Sequence, residues 1–231
     1  MQRGHDLQVA GGDRLSAADD CVRQLAGLAG VRGPAGRVFD WPAIESDLGV
    51  RLPADYKLLA ESFPDGYFRR FVSLWLPDRW PDGRIRFPAR NAADDLEAMR
   101  EYRATGEAVF PYPLFPEPGG LLPWGYISAP GRAMWLTGPA DPQEWPVVVA
   151  TEECDYWDLF DGTACEFLTA VATARYDASG FIEGATIDEQ GVRHPMRPID
   201  LSAQPVFGVL SRVCLRRRRP VSSLSAAGGG G

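Results

Sequence analysis

Two short helices are predicted between residues 39 and 68 from the spacing of apolar positions. The first helix carries its apolar residues on one face, at i, i+3 and i+7: Trp41, Ile44 and Leu48. Asp40 is suited to cap the start of this helix, and Gly49 is suited to end it in the left-handed conformation. The second helix begins after Pro53 and ends at a Pro-Asp-Gly turn. We interpret this pair of helices as the part around which the chain is organised.

Short β-rich runs bounded by turn residues dominate the centre of the chain. Strands are predicted at residues 71–76, 84–87, 121–128, 133–137, 145–151 and 155–160. Three further amphipathic helices are predicted, with these residues as their caps: Ser16, Asn91, and either Asp161 or Thr163. Short turns between successive strands favour antiparallel pairing. The predicted fold is therefore α+β, with a mostly antiparallel twisted sheet of about five or six strands and helices packed on one side.

The predicted organisation is one domain with a tail at each end. Residues 1–14 are polar and glycine-rich, which predicts a disordered lead. Residues 15–200 are expected to form the single α+β domain, with segment 109–118 as an ordered loop over its core. Residues 201–231 are predicted to be a C-terminal extension that contains a basic run, Arg216–Arg219, and a low-complexity tail.

The charge and hydropathy of the chain restrict the class of partner. A formal net charge of −7 argues against non-specific nucleic-acid binding and is compatible with a basic protein partner. No run approaches the roughly 18 apolar residues of a membrane span, so no membrane association is predicted. No apolar signal segment is visible near the start, which predicts a cytoplasmic location. The oligomeric state stays open.

Residues typical of catalysis are few. The histidines His5 and His194 lie outside any motif with a serine or cysteine nucleophile, and motifs for zinc, phosphate or dinucleotide binding are absent from the sequence. The cysteines are scattered, which predicts small buried residues in a reducing cytoplasm rather than disulfides or metal ligands: Cys21, Cys154, Cys165 and Cys214. We therefore predict a protein that is not an enzyme and holds no metal or cofactor.

Acidic residues crowd one segment around Trp157 and form the main candidate for a partner-binding site: Glu152, Glu153, Asp155, Asp158 and Asp161. Paired carboxylates can also perform acid–base chemistry or bind a divalent cation, so those alternatives stay open. A regular strand would place Asp155 and Asp158 on opposite faces, because they are three residues apart. That spacing favours a solvated acidic edge that contacts a protein partner.

Tryptophans form a second candidate, because the chain has seven of them. Most lie in apolar runs and are predicted to be core residues. Trp80 lies between an arginine and a proline in a polar segment, which predicts an exposed ring. We therefore add Trp80 to the predicted partner-binding residues.

The organising helices also resemble a known family. The pattern W-x-x-I-E-x-x-L-G-x-x-L-P-x-D-Y, followed by G-x-F, is carried by these residues: Trp41, Ile44, Glu45, Leu48, Gly49, Leu52, Pro53, Asp55, Tyr56, Gly66 and Phe68. Further matching elements follow in the same order: Gly120–Gly125, Met134-Trp135, Trp145–Val149, Trp157–Phe160 and Phe167-Leu168. From about Arg37 to Tyr176 the chain thus resembles the SUKH superfamily.

This resemblance implies both an architecture and a function. The superfamily contains yeast regulators of cell-wall synthesis and many bacterial immunity proteins, which bind and block a cognate toxin. It implies the same α+β architecture as the sequence pattern. It also implies a non-catalytic protein-binding module, most simply an immunity protein whose partner is a basic toxin domain. An intracellular regulator or scaffold is one alternative, and an enzyme or small-ligand protein that uses the cluster around Trp157 is another.

Overall fold

A computed structural model describes residues 3–128, 131–183, 186–187, 193–194 and 197–209 of the chain. The α-helices in these residues are α1 (Arg3–Ala29), α2 (Trp41–Leu48), α3 (Ala54–Ser62), α4 (Arg90–Thr105) and α5 (Ala164–Ala172). Short 3-10 helices cover Pro142–Glu144 and Leu201–Ala203. The first eight strands are β1 (Gly66–Phe68), β2 (Val72–Leu74), β3 (Asp78–Arg79), β4 (Ile85–Arg86), β5 (Leu121–Ile127), β6 (Gly131–Leu136), β7 (Val147–Thr151) and β8 (Trp157–Phe160). The remaining strands are β9 (Ile182–Glu183), β10 (Thr186–Ile187), β11 (Arg193–His194), β12 (Arg197–Pro198) and β13 (Phe207–Val209).

One seven-stranded antiparallel sheet forms the centre of the fold, in the order β13-β1-β2-β5-β6-β7-β8. The predicted α+β class, with a mostly antiparallel sheet and helices packed against it, is confirmed. The sheet is larger than predicted because it contains two strands that were not predicted, β1 and β13, while the strand predicted at 84–87 pairs with β3 in a separate sheet. β13 pairs with β1, and the Phe207 ring packs on Phe63 and Phe68. The domain boundary predicted at residue 200 would therefore leave β13 outside the domain whose sheet it belongs to. The basic run Arg216–Arg219 and the tail lie outside the described residues.

Helices cover both faces of this sheet, and not one face as predicted. The larger core lies between the sheet and α1, α2, α3 and α5, and it takes alternate strand residues such as Trp135, Val147 and Val149. The smaller core lies under α4 and takes the residues between them, such as Met134 and Val148. A continuous apolar run like the one in β7 is typical of a strand that is buried on both faces. That run was the sequence signal for a second covered face.

The two helices predicted between residues 39 and 68 are present as α2 and α3, and hydrogen bonds fix the ends of α2. Asp40 accepts a backbone N–H from the first turn of α2 at 3.2 Å, and Gly49 ends α2 with a φ of 80°. Glu45 then fastens the turn into α3, because its Oε1 accepts from the N–H of Leu52 at 2.8 Å. The predicted caps of α2 are therefore confirmed.

Helix α1 is much longer than predicted. It begins at Arg3, so residues 3–14 are helical and the predicted disordered lead is wrong for them. No proline interrupts the chain before residue 34, and each residue added to a helix contributes one further backbone hydrogen bond. The caps predicted at Ser16 and Asn91 are also wrong, since α1 continues through the first and α4 begins at Arg90.

A disulfide joins α1 to α5, which corrects the prediction for two of the cysteines. Cys21 and Cys165 are 144 residues apart in sequence, and their Cα atoms lie 6.3 Å apart. Such a pairing has no local sequence signal, because it depends on how two distant helices pack. Cys154 is a buried free thiol, as predicted, and Cys214 lies outside the described residues.

Asp55 links the second organising helix to the last one. Its carboxylate is 3% exposed, and it accepts the backbone N–H of Tyr56 at 2.7 Å and that of Cys165 at 2.8 Å. Cys165 lies in the first turn of α5, where backbone N–H groups have no partner within the helix. Burial raises the pKa of Asp55, while the two N–H groups oppose that rise. Asp55 therefore fixes the position of α5 against α3.

We expect Asp55→Ala to destabilise the protein by about 1–3 kcal/mol, because it leaves buried N–H groups without an acceptor. Asp55→Asn should lose less, since its amide oxygen can still accept one of them. Urea unfolding followed by circular dichroism measures both losses. The control is Asp161→Asn on the exposed side of the same region, which should change stability by no more than about 0.5 kcal/mol. Equal stability of Asp55→Ala and the control would contradict the role given to Asp55.

Candidate partner-binding surface

The five predicted carboxylates lie along the hairpin β7–β8 and the turn after it. β8 is the last strand of the sheet and pairs with β7 alone among the described residues. We call this group the acidic edge: Glu152, Glu153, Asp155, Asp158 and Asp161. The structure therefore brings all five to one edge of the sheet, as the sequence predicted.

The acidic edge contains two kinds of carboxylate. Glu152, Glu153 and Asp161 are exposed, and their side chains form no hydrogen bond or ion pair with any described residue. Asp155 accepts from the hydroxyl of Thr151, and Asp158 accepts from the hydroxyl of Tyr176 at 2.8 Å. Three of the five carboxylates thus have no partner among the described residues, while two are engaged by hydroxyl groups of the fold.

Asp155 lies in the turn before β8, so strand alternation does not decide where its side chain points. Asp158 is on β8 and half-buried, on the face where Phe160 packs against Phe167 of α5. The hydroxyl of Tyr176, at the end of that core, holds it there, and this contact together with burial raises the pKa of Tyr176. Asp158 is therefore the member of the acidic edge whose side chain lies on the α5 side of the sheet.

Trp157 and Leu159 point to the other face of β8. The Trp157 ring packs against Phe110 at a centroid distance of 5.4 Å, and its Nε1 donates to the carbonyl of Cys154 at 2.8 Å. Trp157 is thus a packing residue rather than an open platform. Leu159 is 49% exposed and is the apolar residue of β8 that faces solvent. The sequence analysis missed Leu159, because the order of residues does not reveal which strand lies at the edge of the sheet.

Trp80 does not belong to the acidic edge. It follows β3 in the separate two-stranded sheet β3–β4, and it is half-buried rather than exposed as predicted. The guanidinium of Arg86 lies over its ring, 5.4 Å from the centroid, which explains the lower exposure. A groove of about 490 Å³ lies beside this hairpin and is lined by residues of α2, β3 and β4, among them Asp47, Arg79 and Ile85. The predicted partner-binding set is therefore divided between two places.

An ion pair between the buried Arg132 and the half-buried Asp95 lies beneath the turn of the acidic edge. Arg132 of β6 is 2% exposed, and its Nε lies 2.7 Å from Oδ2 of Asp95 on α4. The same guanidinium donates to Sγ of Cys154 at 3.0 Å and to the carbonyl of Glu152 at 3.2 Å. Burial raises the pKa of Asp95 and of the Cys154 thiol, and in both cases Arg132 opposes the rise. This cluster holds the turn of the acidic edge against α4.

The sequence contained one sign that Arg132 has a partner for its charge. Arg132 is the only charged residue in the apolar strand β6, and a charge in such a run needs a partner. Which carboxylate provides the partner depends on where α4 lies, and the order of residues does not reveal that position.

Two further properties of the described residues concern metal-ion sites and membrane-spanning helices. Where side chains are described, no group of three or more His, Cys, Asp or Glu residues is arranged to hold a metal ion. No helix in the described part of the chain is long and apolar enough to cross a membrane. His5 and His194 lie where side chains are outside the description.

Comparisons with family models, with curated proteins and with solved structures gave no match to this chain. The resemblance to the SUKH superfamily therefore remains a prediction. Its motif residues have structural roles here, since Glu45 fastens a turn and Asp55 caps α5.

Removing one partner of the Asp95–Arg132 ion pair should lower the stability of the folded protein. We expect Asp95→Ala to destabilise the protein by about 3–5 kcal/mol, because it leaves the Arg132 charge buried and uncompensated. The double variant Asp95→Leu with Arg132→Met should lose less than the single variant, since it removes both charges. Thermal and urea unfolding measure these losses, and Asp94→Ala, one residue away on the exposed side of α4, is the matched control. A double variant less stable than Asp95→Ala would contradict this account.

Proposed function

We propose that this protein is a non-catalytic protein-binding module, and specifically an immunity protein that binds and neutralises a cognate bacterial toxin. The observation that carries the proposal is the acidic edge, where Glu152, Glu153 and Asp161 are exposed without partners among the described residues. Carboxylates that do not stabilise the fold internally are available to a partner. The resemblance to the SUKH superfamily supplies the biological class.

The chemistry of the acidic edge favours a basic partner. Five carboxylates lie between residues 152 and 161 with no basic residue among them, and the chain as a whole has a net charge of −7. A patch of one sign accelerates encounter with a protein of the opposite sign and disfavours partners of the same sign. Many toxins that act on nucleic acids carry such a basic surface, because they bind phosphate groups.

The arrangement gives less support to the catalytic alternative. A catalytic pair needs two carboxylates that converge on one substrate atom, with an open cleft between them. Here Asp155 and Asp158 are each engaged by a hydroxyl, and the ring of Trp157 packs against Phe110. A surface of dispersed charges suits protein recognition better than acid–base chemistry.

A charge-removal variant tests the proposed surface. Changing Glu152, Glu153 and Asp161 together to serine should slow association with the toxin encoded by the neighbouring gene by about tenfold at low salt. The slowing should shrink at high salt, where screening already weakens the attraction. Association rates from surface plasmon resonance at two salt concentrations provide the measurement, and unfolding curves check that stability is retained.

The matched control removes the same number of negative charges from another part of the surface. Asp94, Glu101 and Glu107 are exposed on α4 and just after it, outside the acidic edge. Their joint change to serine should leave association close to that of the original protein. Equal effects of the two triple variants, or none from the first, would count against the acidic edge as the binding surface.

A cytoplasmic location is part of the same proposal, and the disulfide makes it testable. The Cys21–Cys165 bond forms only under oxidising conditions, and glutathione and thioredoxin keep cytosolic thiols reduced, so in a cytoplasmic protein this pair should be reduced inside the cell. Acid quenching of intact cells, followed by alkylation in denaturant and mass spectrometry, should then find both residues modified. The control is the purified protein after air oxidation, in which both should resist alkylation. Protection of both residues in cells would indicate an oxidising compartment instead.

A further inference from the structure

The outer edge of β8 carries backbone groups that have no partner within the described residues. In an antiparallel pair, hydrogen-bonded and non-hydrogen-bonded residue pairs alternate. The N–H of Thr151 donates to the carbonyl of Tyr156 at 3.2 Å, which makes these two a hydrogen-bonded pair at the hairpin end. Asp158, two residues further along, is therefore bonded to β7. Trp157 and Leu159 consequently direct their N–H and C=O groups away from the sheet.

Few of the devices that protect an edge strand are present on β8. Edge strands are commonly blunted by lysine, by proline or by a bulge that turns the edge away. β8 contains none of these three, and its pairing with β7 is regular over all four residues; its only protective features are its short length and the inward-pointing charge of Asp158. The one charged side chain of the strand, Asp158, is held toward α5 by Tyr176. Leu159 remains exposed beside the free backbone groups.

We propose that an extended segment of a basic protein partner binds along β8 as an additional antiparallel strand. This proposal rests on the proposed function for the existence of a basic partner, and it specifies how that partner is held. Backbone hydrogen bonds to Trp157 and Leu159 would supply affinity, as in other complexes in which a peptide extends a sheet. All pairs already present in the seven-stranded sheet are antiparallel, which favours the same direction for the added strand.

The two faces of β8 determine the sequence pattern that the added strand should have. A residue opposite Leu159 lies on the face with Trp157 and should be apolar. Its neighbours in the added strand lie on the face with Asp158 and should be basic, because they approach that carboxylate and the exposed acids at both ends of β8. The fitting ligand is thus a segment in which basic and apolar residues alternate.

Backbone methylation of a synthetic peptide tests the added strand directly. The probe is a short capped peptide of alternating arginine and valine, at low salt. Because a valine lies opposite Leu159 in a hydrogen-bonded pair, the N–H groups of the valines point toward β8. A second peptide is N-methylated at the valines, and a matched third peptide is N-methylated at the arginines, whose N–H groups point away. All three have the same charge.

We expect the unmodified and arginine-methylated peptides to bind with similar Kd, and the valine-methylated peptide to bind at least about tenfold more weakly. On binding, hydrogen exchange at the amides of Trp157 and Leu159 should slow, while exchange at Asp158, already bonded to β7, should stay unchanged. Equal binding of all three peptides would overturn the added strand and leave the acidic edge intact as an electrostatic surface. Failure of every peptide to bind would overturn the added strand as well.

The charge-removal variant of the acidic edge separates the two proposals. Changing Glu152, Glu153 and Asp161 together to serine should weaken binding of the unmodified peptide and of the arginine-methylated peptide by the same factor, because the change acts on charge alone. If that variant binds the peptides and the neighbouring toxin as tightly as the original protein does, the proposed function fails at this surface. If it weakens binding while valine methylation has no effect, only the added strand fails.

Discussion

The carboxylate of Asp55 is the interaction on which the arrangement of helices depends. It lies at the start of α3 and accepts a backbone N–H from the first turn of α5, which is 110 residues away in sequence. The burial of apolar side chains is not directional, so it does not by itself decide which backbone N–H group of a helix meets a given acceptor. A buried acceptor that satisfies a specific N–H group removes that freedom, because any other position leaves polar groups unpaired. The core aromatic residues, and the Cys21–Cys165 bond where the protein is oxidised, stabilise a geometry that Asp55 already specifies.

Local features of this fold could be predicted from sequence because their causes are local. The Asp40 cap and the left-handed Gly49 each depend on residues within one helical turn, as does the cap of α5, which was predicted as Asp161 or Thr163 and is Thr163. The features that could not be predicted depend on distant partners. Cys21 lies near Cys165, and Arg132 near Asp95, only because helices pack on the sheet in a particular way. Two covered faces were visible in the apolar run of β7, but the prediction assigned helices to one face.

In the candidate site, too, the features with local causes could be predicted and those that depend on distant residues could not. A cluster of five carboxylates within ten residues is a property of the sequence, and its place on one hairpin was predictable. The difference between free and engaged carboxylates was not, because Tyr176, which holds Asp158, comes from a segment after α5. The exposure of Trp80 was wrongly predicted for a similar reason, since the guanidinium that lies over its ring belongs to the opposite strand of its hairpin.

Coverage of both sheet faces has a consequence for which parts of the surface can vary over evolution. Substitutions on either face disturb one of two close-packed cores, and they carry a cost in stability. The rim of the sheet is different: residues such as Glu153 and Leu159 contact solvent and contribute little to either core. Surface properties can therefore change at the rim while the helices and their buried contacts stay constant. A scaffold of this kind separates the residues that maintain folding from those that can vary without disturbing it.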